Sequence, residues 1–118
     1  MALRDNLKKR KQCFRPISIA EWDAGEPISV RALTPSEQEE LASLDVDETL
    51  PEKEQEVGYK NRTYSVFAMC FGDVKGERVY GDFADTTLKE IADNIPMRVM
   101  TQIISESRDF TNETIKKN

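Results

Sequence analysis

The side chains that could do covalent or metal chemistry are few, and their spacing does not suit it. The 118 residues include no histidine, which removes the commonest general base and metal ligand. Cys13 and Cys70 are far apart and neither has a CxxC partner, so the spacing encodes neither a zinc site nor a redox pair. Cys13 stands beside basic residues, the setting of a reactive thiol. No base accompanies it, and it reads as incidental. Cys70 falls in an apolar run and reads as a small core residue on a helix. Asp45, Asp47 and Glu48 resemble the opening of an oxygen-ligand calcium loop. The glycine and the closing glutamate are missing at the right offsets, so a solvated acidic loop is the stronger reading. Gly25, Gly58, Gly72, Gly76 and Gly81 are scattered rather than gathered into a phosphate-binding loop. With no nucleophile and base in a recognisable pairing, a catalytic triad cannot be assembled. The chain is not expected to be an enzyme, and no metal or cofactor is expected.

What the sequence offers instead is apolar surface. Residues 57 to 72 (VGYKNRTYSVFAMCFG) give the strongest helix expectation, with Tyr59, Thr63, Val66, Phe67, Cys70 and Phe71 recurring every three to four residues. Tyr64, Ala68 and Met69 widen the apolar surface beyond that stripe. Met97 and Met100 belong to a later helix. Methionine-rich surfaces adapt to varied partners. Two readings compete: a groove for another protein's amphipathic helix, or the domain's own core and self-association face. The partner-binding candidates are Val66, Phe67, Met69, Met97, Met100 and Ile104.

These residues need a scaffold. Ile17-Ser18-Ile19 and Ile28-Ser29-Val30-Arg31-Ala32 alternate apolar and polar, the period of half-buried strands, and Asp23-Ala24-Gly25-Glu26-Pro27 supplies a turn. Trp22 closes the first strand and is expected to cap the core. Thr34-Pro35-Ser36-Glu37 has the capping-box pattern of a helix start, with hydroxyl at N-cap, proline at N1 and glutamate at N3. That helix carries Leu41 and Leu44. Residues 45–56 are acidic and contain Pro51, and predict a loop. Gly72 and Asp73 are expected to end the 57–72 helix. A turn over 73–78 follows, then a short extended piece at Arg78-Val79-Tyr80. A helix is expected over 85–94, with Asp85 as N-cap and Leu88, Ile91, Ala92 and Ile95 inward. Another is expected over 96–109. Residues 2–11 hold a short helical pattern with Leu3 and Leu7. The fold class that results is α+β, mostly α-helical, with a small N-terminal β-hairpin followed by about four helices. At this length one domain is expected over 15–110, between a basic arm (1–14) and a polar tail (111–118).

Charge is segregated. Arg4, Lys8, Lys9, Arg10, Lys11 and Arg15 crowd the start against Asp5 alone, whereas in residues 21–56 Arg31 and Lys53 are the only bases in an acidic stretch. The arm lacks interleaved aromatics and no nucleic-acid motif follows, so a nucleic-acid partner is not favoured. No apolar run approaches the ~20 residues of a membrane span. No apolar stretch follows the first charges as it would in a secretory leader, so a reducing, cytosolic setting is expected.

Read in order, the segments resemble the tail assembly chaperones of long-tailed bacteriophages and prophages, the class related to the lambda G protein. The resemblance is carried by Glu21-Trp22, then Val30-Arg31-Ala32-Leu33-Thr34, then Ser36-Glu37-Gln38-Glu39-Glu40. It continues through Tyr64 to Phe71, the Gly72-Asp73 to Gly76 turn, the helix start at Phe83-Ala84-Asp85 leading to Leu88 and Ile91, and Ser107 to Glu113. The order of these pieces persuades more than any single one. Ala32 stands where the family commonly has an acid, and the arm before residue 15 is longer than usual. The resemblance implies a non-enzymatic protein of the host bacterial cytoplasm that coats the tape measure protein, a very long helical chain. It would keep that client soluble until the tail tube polymerises, and would be absent from the virion. It also implies self-association, and contact with the tail tube protein through a frameshifted extension outside this chain. A small structural adaptor of the particle, such as a tail completion protein, is the alternative, and a basic-arm regulator that binds nucleic acid is a third.

Overall fold

A computed structural model describes residues 14–44 and 46–117, with side chains through Asn112. The helix expected over 2–11 and Cys13 lie outside the described residues. Among those described, strand β1 (Phe14–Ile17) leads to β2 (Ile28–Arg31), α1 (Pro35–Ala42), α2 (Glu52–Cys70), β3 (Phe71–Asp73), α3 (Asp85–Asn94) and α4 (Met97–Lys117). The strands form one antiparallel sheet in the order β1-β2-β3. Phe14 pairs with Arg31 and Ile17 with Ile28, while Val30 pairs with Phe71 and Ile28 with Asp73. The fold is therefore α+β and mostly helical, as the sequence pattern predicts, with a third strand added to the hairpin.

That third strand corrects one expectation. Gly72 does not stop α2 as a C′ residue, because the helix ends at Cys70 and Phe71 turns directly extended to pair with β2. Gly72 is needed for closeness instead. A Cβ there would sit 2.7 Å from Ser29 Oγ and 3.1 Å from the Arg31 side chain, which lie across it. The turn after β3 forms as predicted. Asp73 Oδ1 accepts from the backbone N–H groups of Lys75 (2.8 Å) and Glu77 (3.1 Å), an Asx-type closure.

A second correction concerns the acidic loop. Residues 52–56 are the first turns of α2, not loop. Pro51 sits at the N-cap, where a missing N–H costs nothing, and Glu52 and Glu54 face the positive end of the helix dipole. Residues 111–117 likewise continue α4 rather than forming a polar tail. Thr111 is buried there and its hydroxyl accepts from Leu33 N–H at 3.1 Å. The N-cap of α3 is Ala84 rather than Asp85, and Ala92 faces solvent.

The core lies where the C-terminal end of α2 meets β2, α3 and α4. Val30, Phe67, Ile91, Val99, Met100 and Ile103 are fully enclosed. Phe67, Phe71 and Tyr80 form an aromatic cluster, with ring centroids 5.0 to 6.4 Å apart. Ser65 through Cys70 are all buried, so this end of α2 is enclosed on every side rather than along one stripe. Arg98 of α4 pins the hairpin loop by donating to the carbonyls of Ala20 (2.8 Å) and Glu21 (3.1 Å). Among the described residues no helix is long and apolar enough to cross a membrane.

Candidate functional site

An apolar concavity of about 410 Å³ lies between α1, α2 and α4. Its apolar lining is Leu33, Leu41, Ala42, Val66, Cys70 and Ile104, and its polar lining is Gln38, Arg62, Ser107, Arg108, Thr111 and Asn112. Three elements converge on it, and one buried residue, through its guanidinium and its backbone carbonyl, ties them together. Arg31, at the end of β2, is only 6% exposed. Its Nη1 donates to Glu37 of α1 at 3.1 Å and to the carbonyl of Met69 near the end of α2. Its Nε donates to Gly76 O at 3.1 Å, and its own carbonyl accepts from Ser107 Oγ of α4. The guanidinium is thus satisfied by a carboxylate and by two carbonyls, one of them at the negative end of a helix, as a buried cation must be.

α1 itself buries no residue completely. It is held at its N-terminus by the capping box predicted from sequence. Glu37 N–H donates to Thr34 Oγ1 at 3.2 Å, and Thr34 N–H donates to the Glu37 carboxylate at 3.2 Å. Glu37 therefore serves twice, as the N3 member of the cap and as the partner of Arg31. The result is a short helix fixed at one end, with half-buried Leu41 turned toward the groove.

The six sequence candidates separate into three groups. Phe67, Met69 and Met100 are wholly inside the core, with 0–1% exposure, and offer no surface to a partner in this state. Val66, at 9%, and half-buried Ile104 line the groove. Met97 is 61% exposed at the start of α4, two turns from Ile104. Sequence reasoning missed Leu33 and Leu41 as lining residues. Leu41 was visible as an apolar position on an otherwise acidic helix; Leu33, in the link between β2 and α1, gave no periodic signal. Cys70 lies at the groove floor, and burial holds its thiol above the ordinary range, partly offset by a hydrogen bond with Ser107. A protonated, buried thiol is a packing group, not a nucleophile. Among the described residues no group of three acidic or cysteine side chains stands where it could hold a metal ion.

No family model matches the chain, and no curated protein matches it. Among solved structures, the tail assembly chaperone of bacteriophage HK97 is similar, with a TM-score of 0.63 and 11% sequence identity. The superposition covers 92% of this chain and 97% of that one. At so low an identity the likeness establishes the fold, and it is the fold of a phage tail assembly chaperone.

Proposed function

We propose that this protein is a tail assembly chaperone that binds the tape measure protein and keeps it soluble before and during polymerisation of the tail tube. The observation that carries this reading is the near full-length likeness to the HK97 tail assembly chaperone. The ordered sequence pieces that resemble the same family add to it. So does the groove: a long helical client presents apolar stripes, and a cleft of this kind takes the i, i+3, i+4 and i+7 side chains of such a stripe. The role is non-enzymatic and belongs to the host cytoplasm, and the protein leaves before the particle is complete. Coating a long client favours self-association, because linked copies gain from multivalency. Tail tube subunits are reached through an extension outside this chain. The client surface is the groove formed by Leu33, Leu41, Val66 and Ile104 rather than the enclosed Phe67, Met69 and Met100.

Co-expression tests the reading. The longest helix-rich protein encoded just downstream is produced with and without this chain, and the soluble fractions are compared by size-exclusion chromatography. The expected result is a soluble client that co-elutes with this chain. An insoluble client, with this chain eluting alone and later detected in purified particles, would instead make it a structural adaptor.

A further inference from the structure

We propose that Arg78 anchors a second contact surface, on the β3–α3 side of the molecule, that receives a carboxylate of a partner protein. Only the identity of that partner, the client named above, rests on the chaperone reading. The bend between β3 and α3 supplies none of the residues that line the groove, so the two surfaces are separate. The backbone of Arg78 is fixed beside β3. Arg78 bridges Gly72, and Val79 N–H donates to Phe71 O at 3.4 Å. Its side chain is half-buried, with the guanidinium carbon 5.1 Å from the centroid of the Phe83 ring. Nε and Nη2 are enclosed and have no hydrogen-bond partner.

Arg31 shows what a buried guanidinium ordinarily requires, since it has a carboxylate and two carbonyls. For Arg78 the structure gives the face of a ring and, without a hydrogen bond, the charge of Asp82. Oδ1 of Asp82 is already committed to Thr87 Oγ1 and Ala84 N–H. Enclosed donors are seldom left without acceptors, because each has given up its bonds to water. Nε and Nη2 lie side by side on the guanidinium and form a fork that can meet both oxygens of one carboxylate. The fork makes no hydrogen bond in the free chain, so turning it outward to a partner's carboxylate breaks none and gains two. Binding thus recovers a cost that the free chain carries, as at interface hot spots, where arginine is frequent. The residues after Arg78 favour a protein over a free ion as the source of that carboxylate. Val79 and Tyr80 line a concavity of about 240 Å³ together with Trp22, Ile28, Phe71 and Ile95, and Val79 is 47% exposed. A partner segment with an apolar side chain close to its acid engages both features.

The test begins with the free full chain. Arg78→Met removes the unpaired charge and keeps contact with the ring, so its urea midpoint should equal or exceed that of the wild type. A clearly lower midpoint would mean that Arg78 holds the fold through a bond of its own, and overturns the proposal. In NMR spectra of the chain with isotope-labelled arginine, one Nε–H resonance should vanish in Arg78→Met. In the wild type that resonance should shift saturably with acetate and with inorganic phosphate, and not with chloride at equal ionic strength. Indifference to acetate also overturns the proposal. The co-expressed client then decides the source of the carboxylate. Folded Arg78→Met should hold it roughly tenfold more weakly. Arg78→Lys, which keeps the charge without the fork, should fall between. Unchanged retention beside an acetate response would mean a site for small anions and overturns the partner assignment. If the wild-type chain itself fails to hold the client, the chaperone reading falls, and a carboxylate site at Arg78 stands on the acetate response alone.

Discussion

At the scale of single residues, burial separates side chains that look equivalent in sequence. Met69 and Ile104 are both apolar positions on helices, but Met69 is fully enclosed and Ile104 borders the groove. Met69→Asp would bury an unpaired carboxylate and should cost more than about 4 kcal/mol, enough to unfold a domain of this size. Ile104→Asp should leave the circular dichroism spectrum intact and reduce client binding. A folded Met69→Asp protein would contradict this placement. Glycines make a second pair. Gly25 and Gly76 both hold left-handed backbone, with φ of 87° and 80°. A Cβ at Gly25 meets nothing within 4 Å, whereas one at Gly76 runs into the ring of Phe14. Urea denaturation should find Gly25→Ala destabilised by about 1 kcal/mol, the cost of the backbone conformation alone. Gly76→Ala should lose roughly 1–3 kcal/mol more from overpacking. Neither distinction was legible in the sequence. The methionine spacing identified helices, but the run from Ser65 to Cys70 is enclosed on all sides, so periodicity could not say which of its residues stay accessible. The burial of Arg31 was equally hidden. Alternation in β2 assigns it to a polar face, and only the carbonyls of Met69 and Gly76, distant in sequence, make that face an interior one.

At the scale of elements, start signals were read more reliably than stops. The Thr34 capping box is present as predicted, because its partners lie within one turn of each other. The start of α2 at Pro51 carries a comparable signal, a proline followed by acids, but it was masked by the acidity of the segment before it. The end of α2 could not be read, since Gly72 serves a close approach to β2 that exists only after β3 has paired. These attachments have measurable consequences. Thr34→Ala should cost about 1 kcal/mol, and the faster amide exchange it causes should be confined to α1. Arg31→Ala should cost roughly 3–5 kcal/mol and loosen α1, the end of α2 and the turn after β3 together, because it strands Glu37 and the carbonyls of Met69 and Gly76. The first turn of α3 depends on pH. Asp82 Oδ1 accepts from Thr87 Oγ1 at 2.6 Å and from Ala84 N–H at 3.0 Å, and these bonds hold its carboxyl below the ordinary carboxylate range. A carboxyl lowered in the folded state contributes stability that is fully present above its unfolded value and is lost as pH falls through the folded one. Asp82→Ala should therefore destabilise the protein at neutral pH and make little difference in strong acid. An equal effect at both would mean the carboxylate form is not what matters.

At the scale of the whole molecule, a closed core at one end of α2 carries a short, singly anchored helix beside a groove lined in part by arginine. The core was legible as a set of elements, because each apolar period in α3 and α4 agrees with the layer it packs against. The groove was not legible, since it forms only where α4 packs beside α1 and α2, which precede it by some distance in the chain. Val66 and Ile104 could be named from sequence, but not the fact that they share a surface with Leu33 and Leu41. The molecule's acidity suits a soluble carrier for an apolar helical client, the role proposed above. The most direct test is light scattering as the denatured downstream protein is diluted into buffer that contains this chain. Suppressed aggregation that saturates at a fixed ratio of chain to client is expected, with loss of the suppression in the folded Leu41→Asp variant. Aggregation indifferent to the chain would contradict the chaperone claim itself, and suppression unaffected by Leu41→Asp would contradict its placement in the groove.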